Sequence, residues 1–154
     1  MGQAPKREHN LHIFGGFTMA DDIDAEHGLC ILTHSRTIQG SWTSIRPRGR
    51  DGCQWWMLAA HDAREEFTGD LYTAATDLAE VSPAPLPQLI AATDPANVQR
   101  WQLRDRKPLK QWSQGRVTLA GDAAHPTSPY AAYGADMAAE DGYFIGRTGM
   151  VPSS

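Results

Sequence analysis

The sequence is poor in cysteine, in long apolar runs and in basic charge, and each shortage excludes a class of protein. Only Cys30 and Cys53 occur among 154 residues, too few for a disulfide framework, so we expect two buried free thiols. No apolar run approaches the ~18 residues of a membrane span. The N-terminus lacks the apolar core of a signal peptide, so we expect a cytoplasmic protein. The net charge of −4 argues against a nucleic-acid-binding protein.

Signatures of metal sites and of several catalytic classes are also missing. The histidines show no zinc-like spacing and have no nearby cysteine, so we predict no metal site. No Ser-His-Asp arrangement is recognisable, and no catalytic side chain is assigned. The chain also lacks a strand–GxGxxG–helix unit, the motif that usually binds a dinucleotide. Its Gly15-Gly16 pair does not match that motif.

The pattern of apolar residues predicts an α+β fold with a mainly antiparallel sheet and flanking helices. Turn residues separate the predicted strands, which are Leu11–Phe17, Gly28–Thr33, Trp42–Ile45, Cys53–Ala60 and, further on, Val98–Leu103. Cys53–Ala60 is apolar on both alternations, which predicts a central strand covered on both faces. Helix-forming composition predicts helices at Asp70–Leu78 and Gln88–Ala92.

The chemistry of the chain is concentrated between Gly115 and Arg147. A buried strand is predicted at Val117–Ala120, and Gly121 then allows a sharp turn that leaves Asp122 at the strand's carboxyl end, where α/β folds place ligands. Gly134 precedes a predicted helix from Ala135 to about Ile145. The first N–H groups of a helix lack internal partners and attract an anion or an electron-rich carbonyl. Each feature alone is common in turns, but together they predict a site that grips two parts of one polar ligand.

This stretch resembles a known family. Gly121-Asp122-Ala123-Ala124-His125-Pro126, preceded by Gly115-Arg116-Val117, is similar to the second flavin-binding motif of the FAD-dependent aromatic-ring monooxygenases, the para-hydroxybenzoate and salicylate hydroxylase type. The similarity continues through Pro129, Gly134 and Glu140-Asp141, and upstream through Arg104-Asp105-Arg106. It implies FAD as cofactor, NAD(P)H as co-substrate, and O₂-dependent hydroxylation of a small aromatic or apolar molecule.

The resemblance also implies roles for particular residues. Asp122 would bind the ribityl chain, Pro129 would lie near the isoalloxazine ring, and the N–H groups of Ala135 and Asp136 would face the pyrimidine carbonyl. The full set of cofactor-binding candidates is Gly121, Asp122, Ala123, His125, Pro129, Gly134, Ala135 and Asp136, and Trp55 and Trp56 are the candidates for substrate contact.

The missing GxGxxG unit leads to two hypotheses. In the first, the chain is part of a larger monooxygenase: residues 1–10 are loose, 11–103 form a substrate-domain-like sheet with helices, 104–147 form the second FAD-binding segment and 148–154 a tail. It would be inactive until the ADP-binding segment is supplied, in the same chain or by a second polypeptide. In the second, the chain is a non-catalytic module that binds a small molecule or a partner and keeps a vestigial flavin motif.

Overall fold

The computed structural model describes residues 5–19, 27–129 and 133–149. The chain divides into two compact units. The first unit consists of residues 10–102, and the second combines residues 1–9 with residues 103–154. Within the described ranges, no helix is long and apolar enough to cross a membrane.

Five strands form the main sheet: β1 (Lys6–Thr18), β2 (Cys30–His34), β3 (Ile38–Ile45), β4 (Gly52–Ala60) and β5 (Gln99–Arg106). Their order is β2-β3-β4-β1-β5, and β4 pairs antiparallel with both β3 and β1. The predicted mainly antiparallel α+β fold is therefore confirmed, with β4 in the centre of the sheet. Strands β2, β3 and β4 are neighbours in chain order, whereas β1 lies between β4 and β5.

Two helices cover one face of this sheet and build the core. Helix α1 spans Leu71–Ala79 and begins at Asp70, whose carboxylate accepts the Thr73 N–H at 2.7 Å; helix α2 spans Leu86–Ala91. Alternate side chains of β4 pack with apolar side chains of β1 and of the helices, so the inward face of the sheet is continuous with the helical layer. The largest fully buried members of this core are Trp55, Phe14, Met57, Leu86, Leu89 and Ile90.

The structure corrects two expectations in the sheet. The N-terminus is expected to be loose over residues 1–10, but Lys6–Asn10 belong to β1. The Arg7 guanidinium donates to both carboxylate oxygens of Asp105 on β5, at 2.7 and 2.9 Å, and a polar strand held in this way needs no apolar pattern. Both cysteines are expected to be buried, but Cys30 is exposed because its strand, β2, forms the edge of the sheet, whereas Cys53 is buried.

The second unit contains smaller elements. A two-stranded ladder pairs β6 (Ser113–Gln114) with β7 (Val117–Thr118), a 3₁₀ turn follows at Gly121–Ala123, and helix α3 spans Gly134–Gly149. The predicted buried strand at Val117–Ala120 is wrong. Only Val117–Thr118 are in a strand, and Val117 is 63% exposed, because its pairing partner is just two residues long. Of the predicted tail at 148–154, Thr148 and Gly149 lie in α3, and residues 150–154 are outside the described residues.

Candidate functional site

The turn after β7 is built on a backbone conformation that favours glycine. Gly121 has a φ of +54°, in the left-handed region, and a Cβ added there would lie 3.3 Å from the Ala138 Cβ on α3. The Gly121 carbonyl accepts the N–H groups of Ala124 and His125 at 2.9 and 3.0 Å. These bonds close the turn and leave Asp122 exposed at its surface.

Asp141 on α3 ties this turn to the helix. Its Oδ2 accepts the Gly121 N–H at 2.7 Å and lies 2.6 Å from His125 Nε2. The Gly121 N–H, followed by the His125 contact, holds the pKa of the Asp141 carboxyl below its usual value, so the carboxylate stays charged. His125 is buried, and its ring packs beside the Trp112 indole with 5.1 Å between centroids. His125 and Asp141 therefore fix the position of the turn.

Arg106, near the end of β5, supports the same turn from its carbonyl side. Its Nη2 donates to the Asp122 carbonyl at 3.0 Å and to the Ala123 carbonyl at 2.7 Å. The carbonyls are thus turned toward the guanidinium. Arg106 and Asp141 together hold the backbone on either side of the Asp122 side chain.

Helix α3 brings its N-terminus close to Asp122. The Met137 N–H donates to the Tyr133 carbonyl at 3.1 Å, and the N–H groups of Gly134, Ala135 and Asp136 stand before this bond at the start of the helix. A Cβ added at Gly134 would lie 3.2 Å from Thr127 Oγ1 and 3.9 Å from Asp122 Oδ1. The absence of a side chain at Gly134 therefore keeps open the space between the helix start and the turn.

This space is a cavity of about 660 Å³, which we call the flavin cavity because the sequence resemblance predicts a flavin beside Asp122. Its lining residues are Asp122, Thr127, Pro129, Gly134, Ala135 and Ala138. Among the described residues, its lining offers one carboxylate, one hydroxyl, the positive start of a helix and small apolar side chains. A ligand that fits it has hydroxyl donors at one point and an electron-rich acceptor at another.

The structure places the eight cofactor candidates in three groups. Asp122, Pro129, Gly134 and Ala135 line the flavin cavity. Gly121, Ala123 and His125 instead form the turn behind it, and Asp136 is exposed in the first turn of α3 without lining the cavity. Their roles toward a ligand stay predictions, but their different positions suggest that some contact a ligand and others support those that do.

Sequence reasoning assigned no role to four residues that the geometry brings to this site. Thr127 and Ala138 line the cavity, and Arg106 and Asp141 hold the turn. Ala138 could have been found from the small-residue face of α3. The contacts of Arg106 and Asp141 join residues 16 and 20 positions apart in the chain, and no local pattern encodes them.

The two tryptophans considered for substrate contact lie on opposite faces of β4. Trp55 has no exposed surface, and its indole N–H donates to Thr93 Oγ1 at 2.9 Å inside the core. Trp56 is half-buried on the other face, beside Gly15, where an added Cβ would lie 3.0 Å from both the Trp56 and the Trp101 ring. Gly15 thus leaves room for two neighbouring indoles, of which Trp101 is 46% exposed. Of the pair, only Trp56 has surface to offer a ligand.

Comparison with known proteins identifies the family. A family model described as "FAD binding domain" matches residues 10–148. The chain belongs to this family. The match covers most of the chain, so the resemblance to the FAD-dependent aromatic hydroxylases and FAD as the family's cofactor are both confirmed.

The relatives that match in sequence are named as hydroxylases or monooxygenases and are much longer than this chain. The chain is 51% identical over 94 residues to 6-hydroxynicotinate 3-monooxygenase from Pseudomonas fluorescens, a match that covers 61% of this chain and 21% of that protein. It is 60% identical over 53 residues to 3-hydroxybenzoate 6-hydroxylase from Polaromonas naphthalenivorans, with 34% and 13% covered. The chain thus spans only a minor part of these relatives.

Solved structures show the same fold. The Klebsiella pneumoniae protein HpxO, solved with FAD and uric acid, superposes with a TM-score of 0.74 at 25% identity, over 90% of this chain and 35% of HpxO. A salicylate hydroxylase substrate complex superposes with a TM-score of 0.67 at 16% identity, over 94% and 39%, and shows the fold alone.

The residues of the flavin cavity fit the riboflavin half of FAD. Riboflavin carries hydroxyl groups on its ribityl chain and carbonyls on its ring, and these match the exposed Asp122 carboxylate and the N–H groups at the start of α3. The Asp122 carboxylate and the start of α3 border the same cavity, and a Cβ at Gly134 would narrow it. No GxGxxG unit occurs in the sequence to hold the ADP half.

Proposed function

We propose that residues 104–147 hold the riboflavin half of FAD in a monooxygenase that uses NAD(P)H and O₂ to hydroxylate a small aromatic or apolar molecule. The observation that carries the proposal is that Asp122 and the start of α3 border one cavity. When bound, the flavin supplies the redox chemistry, and the protein supplies binding and orientation.

Each side chain has a stated part in this proposal. The Asp122 carboxylate accepts a hydrogen bond from a ribityl hydroxyl, which fixes the chain relative to the ring. The N–H groups of Ala135 and Asp136 donate to the pyrimidine carbonyl, and the α3 dipole favours negative charge there. Pro129 provides a rigid apolar wall beside the ring. The exposed Asp136 carboxylate does not line the cavity, so it does not oppose that charge directly.

The substrate class rests on the relatives. Their names specify hydroxybenzoate and hydroxynicotinate, which are small aromatic acids. The half-buried Trp56, beside the exposed Trp101, offers a flat apolar surface of the kind that aromatic rings stack on. We therefore propose Trp56, rather than the fully buried Trp55, as the substrate-contacting member of the pair.

A polypeptide of these 154 residues should be inactive and retain FAD weakly, because no GxGxxG unit contacts the ADP half. The solved relatives are single chains of which this one matches about a third. We therefore propose that the ADP-binding segment belongs to the same larger polypeptide, not to a second one. The purified 154-residue chain should show no flavin absorbance in the visible range, and a tightly bound yellow chromophore would contradict weak retention.

Titration with riboflavin tests the cavity itself. Added riboflavin should lose fluorescence as it binds, and Asp122→Ala should remove most of that binding because it deletes the hydrogen-bond acceptor. Asp77→Ala, on the exposed side of α1, is the matched control with the same loss of charge. Unchanged riboflavin affinity in Asp122→Ala would refute the flavin site and favour the alternative, a binding module with a vestigial motif.

A further inference from the structure

The face of the sheet that α1 and α2 do not cover carries two indoles side by side. Gly15 on β1 pairs with Trp56 on β4, and Trp101 on β5 approaches Gly15 from the other side. An added Cβ at Gly15 would lie 3.0 Å from Trp56 Cδ1 and 3.0 Å from Trp101 Cζ3. Because both distances start from one point, the two rings meet above β1, and we call them the indole platform.

The two rings can meet only because residue 15 has no side chain. A distance of 3.0 Å is tighter than a Cβ normally makes, so any other residue at this position would displace one of the rings. The backbone makes no such demand, since Gly15 is inside β1 and does not have a positive φ. Glycine inside a strand weakens it and often marks the close approach of another group. Here the groups that approach are the two indoles.

The side chains around the indole platform are uncharged. On β1 and β4 the residues that share its face are Ile13, Gly15, Phe17, Gln54, Trp56 and Leu58. Within the described residues between 10 and 60, no Asp, Glu, Lys or Arg occupies a position of β1, β3 or β4 on this face. Phe17 and Trp101 are 40% and 46% exposed, so apolar surface on this face is open to a ligand.

We propose that the ring of the substrate stacks on the indole platform, and that this substrate is an uncharged aromatic molecule. The inference rests on the proposed function, in which Trp56 contacts the substrate. Indole rings bind flat aromatic molecules by offset stacking and by contact of apolar surface. The names of the relatives specify aromatic acids. A carboxylate above this face would lose hydration without meeting a cation on β1, β3 or β4.

Binding of 3-hydroxybenzamide and 3-hydroxybenzoate to the 154-residue chain tests the proposal, because the two probes share a ring and a hydroxyl group and differ in charge. The indole N–H signals of the five tryptophans report on each ring separately in a ¹H–¹⁵N spectrum. We expect the amide to bind about tenfold more tightly than the acid. The amide should shift the signals of Trp56 and Trp101 and leave that of Trp55, which has no exposed surface, unchanged.

Substitutions test whether the two rings act together. Trp101→Ala removes one ring and Gly15→Ala displaces one, so each should weaken binding of the amide about tenfold. Trp101→Phe keeps an aromatic ring and should retain most of the binding. Gly142→Ala adds the same methyl group as Gly15→Ala where no atom lies within 4 Å, and should leave the affinity unchanged. Because Trp101 is 46% exposed, its variants keep the test available if Gly15→Ala does not fold.

The outcomes separate this inference from the proposed function. An acid that binds as tightly as the amide overturns the uncharged substrate class. Amide binding that leaves Trp56 and Trp101 unshifted, or that survives Trp101→Ala, overturns the indole platform. Riboflavin added to the same samples tests the flavin cavity independently, because no lining residue of that cavity lies in the five-stranded sheet. Riboflavin bound without the amide overturns the indole platform, whereas the amide bound without riboflavin overturns the proposed function.

Discussion

Gly121→Ala tests whether the turn beside Asp122 depends on its unusual backbone. An L-residue in the left-handed region is less stable than glycine there by about 1–2 kcal/mol. The added Cβ would also lie 3.3 Å from the Ala138 Cβ, a tight contact that forces α3 or the turn to shift by a few tenths of an ångström. Together these terms predict a local destabilisation of roughly 2 kcal/mol.

Amide hydrogen exchange measures this effect where it acts. The N–H groups of Ala124 and His125 both donate to the Gly121 carbonyl, so their exchange reports the opening of the turn. A loss of roughly 2 kcal/mol corresponds to about 30-fold faster exchange, since 1.4 kcal/mol is a factor of ten. Riboflavin affinity should fall as well, because a shifted turn moves Asp122 relative to the start of α3.

Two further variants separate strain from contact. Gly115→Ala carries the same backbone strain, with a φ of +59°, but has no atom within 4 Å of the added Cβ and lies outside the turn, so exchange at Ala124 and His125 should not change. In an Ala138→Gly background, Gly121→Ala should speed exchange less than it does in the wild-type chain. The contact with the Ala138 Cβ is then gone, and only the backbone strain remains. If Gly121→Ala exchanges at the wild-type rate, the turn does not require glycine and the reasoning is wrong.

Three other changes probe the contacts of Asp141 with the turn, the packing of the core and the dependence of stability on pH. Asp141→Asn should speed exchange of the Gly121 amide and weaken riboflavin binding, because the carboxylate that accepts from Gly121 and contacts His125 is lost. An unchanged exchange rate would show that Asp141 does not hold the turn. Trp55→Phe should lower the free energy of unfolding in urea by about 1–3 kcal/mol, from the lost hydrogen bond to Thr93 and the space left behind, and a change below about 0.5 kcal/mol would contradict this. Burial, then the nearby Arg100 charge, lowers the pKa of His12 to about 4. The unfolded state therefore binds more protons between about pH 4 and 6.5, so stability should fall as the pH drops through that window, and His12→Gln should flatten the fall.

The strands could be predicted from the sequence where their packing requires a local pattern of apolar residues. β4 is apolar on both alternations, and the structure places it in the centre of the sheet. The polar start of β1 left no such pattern, because polar contacts such as those of Arg7 and His9 with Asp105 on β5 hold it. Distant pairing of this kind is invisible to a reading of periodicity.

The candidate site divides in the same way. Gly121 and Gly134 could be predicted from a local reason, a tight turn and a helix start, whereas Asp122 was expected at the end of a strand and lies instead in the 3₁₀ turn that follows β7. The contacts of Arg106 and Asp141 could not, because they depend on how β5 and α3 approach the turn. The β-branched residues at Val117 predicted a buried strand, but Val117 is exposed, because strand propensity does not say what covers a strand.

The second unit has little core of its own, and this bears on how it would bind a cofactor. Among the described residues between 103 and 149, the buried ones are Leu103, Gly121, Ala124 and His125, which together carry little apolar side-chain surface. Polar contacts from Arg106 and Asp141 hold the turn instead. A ligand bound only by the folded form, present at a hundred times its Kd, adds about 2.7 kcal/mol of stability. Flavin binding should therefore slow exchange throughout residues 119–129 and not only at the contact residues, because the ring would occupy the space that a larger core fills elsewhere.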